Sequence, residues 1–225
     1  MRLNGEKLLG LLNHQLYNFW GGDVYLNAED IEEIERALQR MEKCFAKVNS
    51  KYFRDGEEVI FKVENSVQYA IFLYLMSNEL YISQKEEKAS FVYYLNKIMN
   101  SVEWFYAVKL PEYFCAEHPL GSVLGRATYG NYFYIYQDVT VGGSWKENEV
   151  CYPIIGEHVT MFSNSKVLGK AYIGNNTVIA ANTYIINTAI PDNSMVFGQS
   201  PNLIIKQRDT KDIEKMFKEF WISGS

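Results

Sequence analysis

Between Val123 and Pro191 two runs of the chain place a large apolar residue, nearly always aliphatic, at every sixth position, a period that neither an α-helix nor an alternating strand can use. One run is Val123, Tyr129, Ile135 and Val141; a second is Ile155, Met161, Val167, Ile173, Ile179 and Ile185. A coil that turns a corner every six residues meets this spacing, three corners closing one triangular rung. Each marked residue then points into the prism and stacks on its counterpart one rung away. Four places after a mark the residue is often small (Ala127, Ser165, Ala171, Thr177, Thr183, Ala189), with Phe133, Val139 and Val159 as larger exceptions. Gly125, Gly130, Gly156, Gly169 and Gly174, with Asn175, Asn176, Asn182 and Asn187, are expected to supply the corner turns. An ordinary β-sandwich would have to reach the same register by chance.

The two runs are out of phase. Fourteen residues separate Val141 from Ile155 where twelve would keep register, and the stretch between is polar and charged. A loop extruded from the coil, residues 144–153, explains both facts, and loops leaving a rigid scaffold commonly carry function. Before residue 110 the period changes to alternating threes and fours. Ile31, Ile34, Leu38, Met41, Phe45 and Val48 predict an amphipathic helix over 28–48, capped by Asn27. Leu8, Leu12, Leu16 and Phe19 predict an earlier helix ending near Gly21-Gly22. Helices are also expected over 65–76 and 85–99, with a turn at Asp55-Gly56 and a short strand over 59–63. Asp209 or Thr210 is placed to cap a last helix whose face of Ile213, Met216, Phe217, Phe220 and Trp221 needs a partner. The class is α+β: a helical region (1–110), a repeat coil (111–208) and a C-terminal helix (209–225).

Composition narrows the function. A formal charge of −5 and the lack of a basic stripe argue against nucleic acid. The longest apolar runs, such as 69–76, are too short to span a bilayer, so no transmembrane segment is expected. Cys44, Cys115 and Cys151 are odd in number and widely spaced, which fits reduced thiols in a cytoplasm and no zinc or other metal site.

From Glu117 the sequence reads EHPLGSVLGRATYGNYFYIYQDVTVGG, and near the end of the coil Phe197–Asn202 reads FGQSPN. With the extruded loop and the hexad register, these segments resemble the serine acetyltransferase family over roughly residues 117–208. The resemblance implies a left-handed parallel β-helix, acetyl-CoA as cosubstrate without a metal, and a homotrimer or a dimer of trimers. It places the general base at His118, suited to the task because imidazole titrates near neutrality. Glu117 and Tyr152 fall at acceptor-binding positions. Gly142, Gly143, Ser163, Ala180 and Ala181 fall along the coenzyme's pantetheine arm, and Lys206, with Arg208 as a further cation, near its phosphates. The family's acid that orients the base has no clear counterpart here, because the stretch before His118 is about one hexad shorter; Glu103 and Glu112 are the two candidates. His158, at the fourth place of its hexad, is expected on the outer surface.

One departure bears on the acceptor. Where the family has a histidine-proline step after the loop, this chain has Tyr152-Pro153, which offers a neutral hydroxyl and no potential cation. On that ground the first expectation is O-acetylation of a small hydroxyl acceptor in the form of a sugar or polysaccharide precursor. Serine O-acetylation is the alternative, and a non-catalytic scaffold is the third reading.

Overall fold

The computed structural model describes residues 4–56, 58–146 and 148–222. Residue 147 of the extruded loop and residues 223–225 of the C-terminal segment lie outside them.

The hexads build a three-walled parallel coil. The first wall stacks Thr128–Tyr129, Ile154–Ile155, Tyr172–Ile173 and Ala189–Ile190 in parallel. The second stacks Phe114–Ala116, Phe133–Ile135, Thr160–Met161, Val178–Ile179 and the start of Ser194–Gln199. The third stacks Glu103–Trp104, Val123–Leu124, Thr140–Gly142, Lys166–Leu168 and Tyr184–Ile186. Tyr129, Ile135, Val141, Ile155, Met161, Val167, Ile173, Ile179 and Ile185 are all buried in the prism, as the period predicts. Val123 is the exception. Leu124 pairs with Val141 and is sealed, while Val123 pairs with Thr140 and is half-exposed. The far end slips in the same way, Ile190 and Val196 taking the inward places while Ala189 is exposed.

The corners use two devices, and the glycines divide between them. Gly169 and Asn176, Asn182 and Asn187 do adopt left-handed backbone, joined by Tyr132, Asp138, His158, Asn164 and Asn193. Gly125, Gly130, Gly156 and Gly174 do not; they stand where the next coil comes too close for a side chain. A Cβ on Gly174 would lie 2.4 Å from the backbone nitrogen of Asp192. Asn175 acts through its side chain, whose Oδ1 accepts the Glu157 N–H at 2.8 Å.

The helical unit precedes the coil. Helices α2 (Ile31–Phe45) and α4 (Glu86–Asn100) pack against α3 (Ser66–Ile82), which is buried continuously from Gln68 to Leu80, and α1 (Gly5–Trp20) packs on α2 and α4. Asn27 caps the turn leading into α2, its side chain accepting the Glu29 N–H while Asp30 accepts the Asn27 N–H. The short strand expected over 59–63 is a two-residue arm, Glu58–Val59, paired with Arg54–Asp55. The linker from α4 is sewn to α3: Tyr74 donates to the Val108 carbonyl at 2.7 Å and accepts the Leu110 N–H at 2.9 Å. Glu103–Trp104 already belongs to the third wall, so the coil starts inside the stretch assigned to the helical region.

The last helix, α5 (Thr210–Phe220), is capped by Asp209 and lays its aromatic face on the second wall. Phe220 meets the Tyr134 ring at 4.3 Å, and Phe217 meets Tyr132 and His158. Beyond it, Trp221 forms a β-bridge with Val48, and Ile222 N–H donates to the Lys47 carbonyl at 2.8 Å. The segment that closes the coil thus also holds the helical unit.

Candidate functional site

Two edges of the prism collect the residues singled out from the sequence. The first lies between the second and third walls. Ala116 pairs with Ile135 and Leu124 with Val141, so register is kept on either side, and the corner between them is longer than those below it. Glu117 N–H donates to the Ile135 carbonyl, and Asp138 N–H to the Leu120 carbonyl. His118 and Pro119 are the surplus pair. They form an outgrowth of the edge, which leaves the His118 side chain 76% exposed on a left-handed backbone (φ 50°).

The coils that follow on this edge bring Tyr136 and Gln137, then Phe162 and Ser163, then Ala180 and Ala181. Ser163 accepts the Asn182 N–H at 2.9 Å and Ala180 donates to the Val196 carbonyl at 3.0 Å, which fixes both backbones. At the far end Ser194–Gln199 pairs antiparallel with Asn202–Gln207, and Lys206 Nζ sits 5.6 Å from the Phe197 ring centre. A groove of about 520 Å³, with Asn164, Lys166, Asn182, Tyr184 and Gln199 in its walls, adjoins Ser163 and Ala181.

Glu117 lies 4.0 Å from His118 Nε2 and within hydrogen-bonding reach of the Tyr136 hydroxyl. Burial, and next the Glu117 carboxylate, push the Tyr136 phenol above its ordinary range, so it stays a proton donor toward that carboxylate. Neither expected orienting acid reaches the imidazole. Glu103 is paired with Lys97, and Glu112 with Lys43 at 2.9 Å. Glu117 is the one acid in ion-pair range of His118 among the described residues.

The second edge, between the third and first walls, carries Gly142 and Gly143, from which the extruded segment leaves. That segment is a hairpin, Ser144–Lys146 paired with Glu149–Cys151, and Trp145 at its end is 73% exposed. Tyr152 returns across Gly143, where a Cβ would meet its ring at 2.8 Å. Within one chain, therefore, His118 and Tyr152 stand on different edges.

Arg208 and His158 serve the structure. Arg208 Nη1 donates to the Asn176 carbonyl and Nη2 to that of Asp212 at the start of α5, so it ties that helix to the coil. His158 is half-buried under α5, its Nδ1 3.0 Å from Asn176 Oδ1, and the expectation of a solvent-facing histidine fails because α5 covers that corner. Two residues missed from the sequence belong to the edges: Tyr136, which faces Glu117, and Arg126. Arg126 is exposed one coil from Gly143 and has no ion pair or hydrogen bond among the described residues. Its signal was available, a cation at a corner that the next two coils give to Gly143 and Gly169. No cluster of three or more metal-ligating side chains occurs among the described residues. No helix among them is long and apolar enough to cross a membrane.

A hexad register closed into a triangular prism, with one hairpin extruded and an imidazole raised from an edge, defines a hexapeptide-repeat protein of the left-handed parallel β-helix fold. No family model matches the chain. Within that class its sequence is similar to serine acetyltransferases. It is 31% identical over 140 residues to the serine acetyltransferase of Staphylococcus aureus (strain Mu50 / ATCC 700699), across 62% of this chain and 65% of the relative. The match thus spans just under two thirds of the relative's length. The structure of serine acetyltransferase from Vibrio cholerae superimposes with a TM-score of 0.69 at 20% identity, covering 93% of this chain and 82% of the other. A serine acetyltransferase solved in complex with CoA gives 0.65 at 19%, covering 92% and 86%.

Proposed function

We propose that the chain is an acetyltransferase that moves the acetyl group of acetyl-CoA to the hydroxyl of serine. The observation that carries the reading is the exposed imidazole of His118, raised from an edge that continues through Ser163, Ala180 and Ala181. Small side chains there let a long, thin cosubstrate lie against the backbone, and Lys206 stands at the far end for its phosphates. The relatives speak for serine. The sugar or polysaccharide acceptor expected from Tyr152 finds no support among them, and that expectation is withdrawn.

In this reading a ring nitrogen of His118 takes the hydroxyl proton as the serine oxygen attacks the thioester carbonyl carbon. The C–S bond of the tetrahedral intermediate then breaks, and the leaving thiolate takes the proton back from the imidazolium. O-acetylserine and free coenzyme A result, with no covalent enzyme intermediate; holding both substrates in one cleft supplies the proximity. Glu117, positioned by Tyr136, binds the acceptor and steadies the imidazolium. Tyr152 and Arg126 provide a hydroxyl and a guanidinium for the serine carboxylate. Because these two stand on the other edge, the site is completed by a neighbouring copy, in a trimer or a pair of trimers.

The test is release of free thiol from acetyl-CoA with L-serine, against a panel of nucleotide sugars and oligosaccharides. Serine-dependent release supports the reading. Release with a sugar and none with serine overturns the acceptor, and no coenzyme A binding at all returns the chain to a scaffold.

A further inference from the structure

Between His118 and the small residues that follow it, the first edge carries one long polar side chain, Gln137. Leu120, Gln137 and Ser163 hold equivalent places on successive coils, their carbonyls accepting the N–H of Asp138, Asn164 and Asn182 at 2.8, 2.8 and 2.9 Å. Each of those three donors has left-handed backbone, at φ 57°, 59° and 62°. Gln137 therefore stands one coil below the outgrowth that raises His118 and one coil above Ser163. Nothing in the chain holds its carboxamide. Oε1 is buried without a hydrogen-bond partner; Nε2 also lacks one among the described residues, but reaches the surface.

A buried amide oxygen without a partner is destabilising, and native chains seldom keep one. The next two residues of the column, Ser163 and Ala181, are too short to meet that cost. With Oε1 turned inward, the atom that Gln137 presents to the edge is a donor, which selects an acceptor on whatever lies there. Coils stand ~4.8 Å apart, and in coenzyme A two methylenes, about the same span, separate the sulfur from the first amide of the pantetheine arm. With the thioester at His118, that amide falls level with Gln137. We propose that Gln137 Nε2 donates to the carbonyl of this amide and so sets the register of the thioester against the imidazole. The inference rests on acetyl-CoA as cosubstrate and is independent of the acceptor.

Isothermal titration calorimetry on the full chain tests this without an acceptor. The ligands are coenzyme A and adenosine bisphosphate, which keeps the coenzyme's nucleotide end and lacks the arm. Gln137→Ala should weaken coenzyme A about tenfold, the worth of one hydrogen bond, and leave adenosine bisphosphate within about twofold, a split that general damage to the fold would not give. Gln137→Glu keeps the size of the side chain and removes the donor, so it should weaken coenzyme A at least as much. A coenzyme A analogue with methylenes in place of the first amide gives a test on the parent chain. The parent should prefer coenzyme A to the analogue, and Gln137→Ala should lose most of that preference. The proposal is overturned if both variants keep the parent affinity for coenzyme A, if they weaken adenosine bisphosphate equally, or if the parent binds the analogue as tightly as coenzyme A. A parent that binds no coenzyme A overturns this inference and the proposed function together; coenzyme A binding that both variants leave intact overturns this inference alone.

Discussion

At the scale of single residues, His118 and His158 pose opposite questions. His118→Ala removes a largely exposed ring, so the fold should stand while kcat falls about 10²–10⁴-fold. Acetyl-CoA affinity should stay within a few-fold in equilibrium titration, because the base meets the acceptor's hydroxyl and not the coenzyme's length. His158→Ala removes a hydrogen bond to Asn176 and the ring under Phe217, about 1–2 kcal/mol of stability. Its melting temperature should drop by a few degrees with turnover kept; loss of turnover in this variant and not in His118→Ala would reverse the two roles. Arg126→Gln should raise the KM for serine about tenfold with kcat nearly unchanged, since a guanidinium–carboxylate contact in the ground state acts on binding. An unchanged KM would remove Arg126 from the site. The inward residue was legible wherever the six-residue spacing holds. It was misread at Val123-Leu124, because the inward Leu124 stands five residues before Tyr129, where the period calls for six.

Among the elements, the hairpin at 144–151 has the clearest consequence. It adds residues between one rung and the next without breaking the pairing of Gly142 with Leu168 or of Tyr129 with Ile155. Replacing it by a Gly-Ser bridge should leave the coil folded by circular dichroism and coenzyme A bound, while acetyl transfer is impaired. Full turnover in that deletion would make the hairpin passive. The sequence showed this element through lost register and polar composition. It understated α3, expected over 65–76 and running to Ile82, for a physical reason. A helix buried on all sides has no polar face, so the alternation that reveals α2 is missing. The closure of α5 was foreseen only as a need for a partner. Which surface it covers depends on the outward side chains of the second wall, where Tyr134, Thr160 and Val178 stack far apart in sequence.

For the molecule as a whole, the walls are unequal. The second is covered by α5, while the first presents Ile154 and Tyr172 at 49% and 45% exposure. Exposed apolar rows on a rigid face mark an interface, and the division of the site between two edges asks for a neighbour. Light scattering should give three or six times the chain mass of 26.1 kDa. A monomer at assay concentration would leave His118 and Tyr152 without a shared cleft and would count against the whole arrangement. This division could not be read in advance, because the motif near His118 and the glycines before the hairpin lie close in sequence and only closure of the prism separates them.

The hairpin and the bridge between Val48 and Trp221 together make one peptide bond in the chain expendable. Consider a backbone cut at the hairpin's tip. The earlier piece keeps the helical unit and the opening rungs; the later piece keeps the closing rungs, α5 and Trp221. Each rung interface across the cut remains hydrogen-bonded, and α5 still grips Tyr132, Tyr134 and Val48 on the other piece. Two polypeptides expressed separately, and divided at that tip, should therefore find each other and assemble without a covalent link.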